Sequence, residues 1–220
     1  MPAARLAVTL LILLAPLAAR AQTAEVAARV LDDLGRGLAD AVVVAVPADG
    51  DIKLPPRPRE AVIDQVNKEF TPKVTAILVG TSVTFPNNDD VRHQVYSFSP
   101  AKRFELPLYA GVPAQPVVFD KPGVVVLGCN IHDWMVGYVY VSESPYFAKT
   151  DADGKALLAE LPPREYIVRV WHPQLSGTEE ATGKRIDASR ARHVDVEWRL
   201  ALKPEVKVRR APTSERGGRY

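Results

Sequence analysis

One stretch constrains this chain more than any other: Gly123-Val-Val-Val-Leu-Gly-Cys129-Asn-Ile-His132-Asp-Trp-Met135, which holds the only cysteine of 220 residues. The run before the cysteine is apolar and β-branched, the composition of a strand. A histidine follows three residues after the cysteine and a methionine six after it. A strand therefore delivers a thiolate to the mouth of a sheet, and a tight loop returns an imidazole and a thioether to the same point. Thiolate, imidazole nitrogen and a weak axial thioether are the donors that suit copper in a trigonal electron-transfer site. Such a site needs one more histidine, and His93, His172 and His193 are the ones left. His93 lies in a second strand-turn-strand pattern, Val83-Thr-Phe-Pro-Asn87-Asn88-Asp-Asp-Val-Arg-His93-Gln94. The candidate ligands are His93, Cys129, His132 and Met135. Taken singly, each has an ordinary explanation: a lone cysteine is usually a small buried hydrophobe, and a lone methionine is core filler. Three donor types recurring at loop spacing after an apolar strand make the metal reading the stronger one.

Net charge is +2, so nothing in the composition drives the chain towards nucleic acid. Residues 1–21 have the form of a secretory signal: Arg5, an apolar core from Leu6 to Leu14, then Ala19-Arg20-Ala21 as a small-x-small cleavage site. The apolar core falls short of the ~20 residues of a bilayer span, so the mature protein is expected to lack a transmembrane segment and to reside in a bacterial periplasm. An exported chain with one cysteine cannot close an internal disulfide, and a free thiol there is exposed to oxidation. Commitment to a metal removes that hazard.

Short strands, frequent turns and no long helical period describe an all-β chain. Residues 24–47 read as a strand, a Gly-containing turn and a second strand, a β-hairpin or Greek-key opening. Pro47 to Arg59 is rich in proline and charge, the composition of a linker. Strands are expected near 62–66, 74–79, 81–86, 93–98, 116–119, 123–129 and 136–142, with Phe104–Tyr109 at a sheet edge because Pro107 cannot donate to a central ladder. Residues 143–149 form a connector. Asp151-Ala-Asp153-Gly154 has a fragment of a calcium-loop pattern but lacks its other ligands, which leaves a hairpin turn. Leu175 to Arg190 reads as polar loop, Val194–Leu202 as a last strand, and 204–220 as a basic disordered tail.

Gly80-Thr-Ser-Val-Thr-Phe85 with Asn87, Asn88 and His93, followed by Gly123 through Cys129-x2-His132-x2-Met135, resembles the cupredoxins, the small blue-copper proteins, over about residues 62–142. The short Cys-to-Met loop is similar to that of the amicyanin branch. The resemblance implies a Greek-key β-sandwich with one type 1 copper, His93 as the buried ligand, His132 as the exposed electron port ringed by Ile131, Trp134 and Val136, and Met135 as the weak axial ligand. Asn87, Asn88 and Gln94 are second-shell candidates, able to tie the two ligand loops together. It also implies a redox partner such as a periplasmic dehydrogenase or a c-type cytochrome, and a place in methylamine utilisation. Gly128 and Gln94 depart from the residues common beside these ligands. A second resemblance, of Thr150–Pro173, is to the carboxypeptidase-regulatory-like or transthyretin-like β-sandwich. Such a sandwich opens with strands shaped like residues 24–47, so residues 22–50 and 150–203 are expected to form one sandwich that carries the cupredoxin, residues 60–142, as an insertion. Two sandwiches in series is the alternative.

Three function classes follow. The first is a single-electron carrier and not an enzyme. The second is a periplasmic copper-binding module for buffering, delivery or assembly. A copper enzyme is disfavoured because only His172 and His193 are spare for a further metal centre. The same ligands can also hold a structural zinc.

Overall fold

The structure is a computed structural model that describes residues 23–56, 59–113 and 115–204. The expected signal and all of the basic tail after Pro204 lie outside the described residues. The chain opens with β1 (Ala24–Asp32) and β2 (Val42–Pro47). Next come β3 (Glu60–Val62), β4 (Asp64–Val66), β5 (Glu69–Thr71), β6 (Val74–Leu78), β7 (Thr81–Thr84), β8 (His93–Ser99), β9 (Lys102–Tyr109), β10 (Val117–Phe119), β11 (Gly123–Gly128) and β12 (Val136–Ser142). It closes with β13 (Phe147–Lys149), β14 (Lys155–Leu161), β15 (Glu165–Trp171), β16 (Lys184–Asp187) and β17 (His193–Leu200). The fold is all-β, and no helix among the described residues is long and apolar enough to cross a membrane.

These strands make two sandwiches. In one, the sheet β14-β1-β17 faces the sheet β13-β2-β15-β16 across a core that includes Val26, Val43, Tyr166 and Trp198. In the other, the five-stranded sheet β6-β12-β11-β8-β9 faces β10-β7-β3, with the hairpin β4-β5 beside them, around Phe85, Phe119, Leu127 and Val139. The first sandwich joins distant parts of the chain: β1 pairs with β14 and β17, and β2 with β13 and β15. The second is built wholly from the residues between.

Strand β2 explains how the two units sit together. Every residue of it is buried, so it reads as a continuous apolar run, as strands covered on both faces do. Val43 and Ala45 point into the core of its own sandwich. Val42, Val44 and Val46 instead pack with Val74 and Tyr140 of the other sandwich. Burying a valine contributes about 1.5–3 kcal/mol, so this face is a substantial joint. Trp171 stacks at 5.6 Å on Tyr140 and 6.0 Å on Tyr138, and the Tyr140 hydroxyl donates to Glu179 at 2.6 Å. Lys149 adds an ion pair to Asp40 and donates to the carbonyl of Val74.

Several local expectations change. β1 and β2 do not form a hairpin, since they lie in opposite sheets. The turn between them is a corner, held by the Asp32 carboxylate accepting from the amides of Leu34 and Arg36. Asp151–Gly154 likewise carries the chain between sheets, from β13 to β14, with the Asp151 carboxylate accepting from the amides of Asp153 and Lys155. The 143–149 connector contains β13. The Leu175–Arg190 stretch holds a short 3-10 turn, Glu180–Thr182, and the edge strand β16, which pairs with β15. Its polar side chains suit an edge, which is why no apolar alternation announced it. β9 does lie at a sheet edge, as Pro107 required.

Candidate metal centre

The cysteine is placed by strand alternation. Val125, Leu127 and Cys129 face the core at 0%, 0% and 3% exposure. The chain leaves the sheet after Gly128 and re-enters at Val136, its direct partner across the ladder. Between them the loop is closed by the Met135 amide donating to the carbonyl of His132 at 2.9 Å. Gly128 has a steric reason. It sits opposite Tyr96 of β8, and a Cβ there would lie 2.7 Å from Cζ of the Tyr96 ring. Gly128→Val should therefore displace that ring and the adjoining cysteine, costing about 1–3 kcal/mol as overpacking does. Thermal unfolding and copper titration check this, and unchanged values for both would contradict it.

The structure brings His93, Cys129 and His132 together, with their donor atoms all within 4.8 Å of one another. Both imidazoles turn Nδ1 to the sulfur, at 3.8 Å for His93 and 4.0 Å for His132. First-row metal bonds of ~2.0–2.1 Å to nitrogen and ~2.3 Å to sulfur require a nitrogen–sulfur separation of about 3.8 Å in a trigonal plane, and about 3.5 Å in a tetrahedron. The observed distances match the plane. The donor set is also right for copper, and the residues fit the ion. His93 is fully buried, whereas His132 is partly exposed. Burial, then the neighbouring His93 and Lys68, push the His132 imidazole below its ordinary range, which keeps it neutral and able to ligate near neutral pH. Met135 is buried in the same apolar cluster as Cys129. His172 is buried in the other sandwich, and His193 lies on its surface between Glu25 and Asp195.

The three residues expected around the ligands do different things. Gln94 is the one that links the ligand segments: its carbonyl accepts from the Asn130 amide at 2.7 Å, and its own amide donates to Glu105. Asn87 is buried and braces the first loop internally, donating to the carbonyls of Val91 and Tyr109 at 2.9 Å each. Asn88 ties the same loop to Asp64 at the start of β4. Neither asparagine reaches the cysteine loop.

Other contributors carried no signal in the sequence. Asp89 Oδ2 accepts from His93 Nε2–H at 2.8 Å and from the Lys68 amide at 2.6 Å. Burial works to raise its carboxyl, but the bonds from His93 and the Lys68 amide outweigh that and hold it below the usual range. Gln65, fully buried, donates to the carbonyls of Phe85 and Pro86 at the entrance to the loop. The Tyr109 hydroxyl donates to Phe85 as well, at 2.6 Å, and burial pushes its ionisation up to about 12. Ile131 is exposed beside His132, and the Trp134 ring packs against the imidazole at 5.1 Å, tilted by 57°.

No protein-family model matches the chain, and no curated protein does. Among solved structures, a purple cupredoxin from Nitrosopumilus maritimus is 32% identical, with 37% of this chain and 99% of that one covered and a TM-score of 0.34. The all-β architecture of this chain is consistent with a cupredoxin-like β-sandwich fold. A copper-containing nitrite reductase from Thermus scotoductus is 31% identical over 44% of this chain, at a TM-score of 0.36; the chain spans 25% of that enzyme's length. An amicyanin variant is 20% identical over 47% of this chain and 99% of its own, at a TM-score of 0.34. The matched shares correspond to less than half of this chain.

Proposed function

We propose that this chain is a type 1 copper protein that carries single electrons between redox partners in the periplasm, and that it is not an enzyme. The observation that carries the reading is the convergence of two imidazole Nδ1 atoms on one buried thiol at trigonal separations. His93, Cys129 and His132 would hold the ion in its plane and Met135 would be the axial donor. Bound copper supplies a one-electron couple, with the ligand softness and geometry that suit electron transfer.

The protein's own residues supply the rest. The Asp89, Asn87, Gln65 and Tyr109 bonds hold the His93 segment, while Gln94 and Asn130 couple it to the cysteine loop. Ligands braced in this way move little between oxidation states. The apolar surroundings of Cys129 exclude water from the sulfur. His132, partly exposed between Ile131 and Trp134, is the surface point nearest the centre for a redox partner such as a dehydrogenase or a c-type cytochrome.

Residues 22–50 and 150–203 are best taken as one sandwich of the carboxypeptidase-regulatory-like kind, interrupted by the copper-binding block at 60–142. A fragment of residues 60–143 should fold around its own core and bind copper, yet self-associate, because Val74, Tyr138 and Tyr140 lose the cover of β2 and Trp171. Sedimentation of the copper-loaded fragment checks this. A fragment that fails to fold, beside an intact full chain, would count against the insertion.

Voltammetry of the full copper-loaded chain tests the carrier role. A reversible one-electron couple with rapid exchange is expected. Sluggish exchange, with copper passing instead to a metal-free acceptor protein, would favour delivery over electron transfer.

A further inference from the structure

We propose that Asp89 is a positioning residue for the metal centre: it fixes His93 with Nδ1 towards Cys129, and its negative charge lowers the reduction potential of the bound copper. This deepens the copper reading and rests on it.

The geometry comes first. The His93 side chain is fully buried and that of Asp89 is 9% exposed, so their 2.8 Å contact is made out of water. A carboxylate only accepts, so Nε2 carries a proton, and in the neutral imidazole it is the only one. That leaves the Nδ1 lone pair on the side facing Cys129 Sγ, 3.8 Å away. Asp89 thus sets both the tautomer and the ring orientation that a ligand needs, as carboxylates behind metal-bound histidines do.

Asp89 is in turn held from two directions. Its own amide donates to Asn87 Oδ1 at 3.0 Å. Its Oδ2 also receives the Lys68 amide, delivered by the turn between β4 and β5. In that turn Asn67 and Lys68 both adopt positive φ, +55° and +59°. The left-handed region is unfavourable for a lysine. A simple hairpin would place glycine there; this one accepts the cost and aims an amide at the carboxylate.

Charge decides the direction of the effect. The bonds to the Asp89 carboxylate come from the His93 ring and the Lys68 amide. A negative charge directly behind His93 attracts divalent copper more strongly than monovalent copper. Asp89 therefore weights the site towards Cu(II).

Asp89→Asn tests this, because the amide oxygen still accepts from His93 Nε2–H while the charge is gone. Measured on the full chain, the ratio of Cu(II) to Cu(I) affinity should fall about tenfold or more, equivalent to a potential about 59 mV higher per tenfold. Both affinities changing in parallel, with the ratio intact, would mean that Asp89 only braces the loop and would overturn the charge role. The orientation role has a separate readout that needs no variant and no copper: nitrogen NMR of His93 in the metal-free wild type. The Nε2–H tautomer is expected, and Nδ1–H would overturn it. Should the wild type bind no copper at all, the reading of the site fails, while the tautomer measurement still decides what Asp89 does to His93.

Discussion

Cys129→Ser is expected to abolish the blue colour of the copper-loaded protein completely while leaving the metal-free fold in place. Charge transfer from the thiolate is the source of the colour, and a serine oxygen cannot replace it. The fold has less at stake. Cys129 is buried and small, at the end of a strand whose packing comes from Val125 and Leu127. A buried hydroxyl costs about 1–3 kcal/mol where it lacks a partner, and here it has the Nδ1 atoms of His93 and His132 close by. Absorption and circular dichroism on one sample separate the two effects. A coloured mutant would remove Cys129 from the site; an unfolded one would make its role structural.

The second large effect is a contrast between an equatorial and an axial ligand. His93→Ala should lose most of the copper binding and also lower the stability of the metal-free protein. Removing the imidazole takes away one of the two hydrogen bonds to Asp89 Oδ2, which costs about 1–3 kcal/mol. Met135→Gln should behave differently. A thioether in this position is a long, weak bond, and a glutamine is similar in length to methionine. Copper and colour should persist, with a lower reduction potential and an altered spectrum. Affinity titration and voltammetry of the two variants decide the matter. Unchanged potential and spectrum in Met135→Gln would mean that another atom fills the axial position.

The sequence displayed the donors of this centre but not their supports, for a physical reason. Cys129 and His132 stand three residues apart on one strand-loop unit, so their spacing brings them together, and Met135, three residues further on, is buried in the same apolar cluster as Cys129. His93 was reached by its strand-turn-strand setting and by having few competitors. Asp89 and Gln65 are different, since an aspartate in a polar loop and a glutamine in a short strand look like solvated residues until tertiary contacts bury them. Tyr109 was hidden similarly, in an edge strand interrupted by Pro107. Gly128 appeared as an unexplained departure, because the ring that requires it belongs to Tyr96, 32 residues earlier and on another strand. At the level of the fold, the all-β class was legible from short β-branched runs. That β1 and β2 lie in opposite sheets was not, because a corner and a hairpin use the same turn residues. β2 carries its own clue: a strand without alternation is covered on both sides, and here each side is a different sandwich.

The most direct test of the account is the visible absorption spectrum of the full chain titrated with Cu(II). It predicts one copper per chain and an intense band from sulfur-to-copper charge transfer, rising in proportion to bound metal and absent from the metal-free protein. Binding without that band, or binding of zinc alone in a colourless tetrahedral complex, would contradict it.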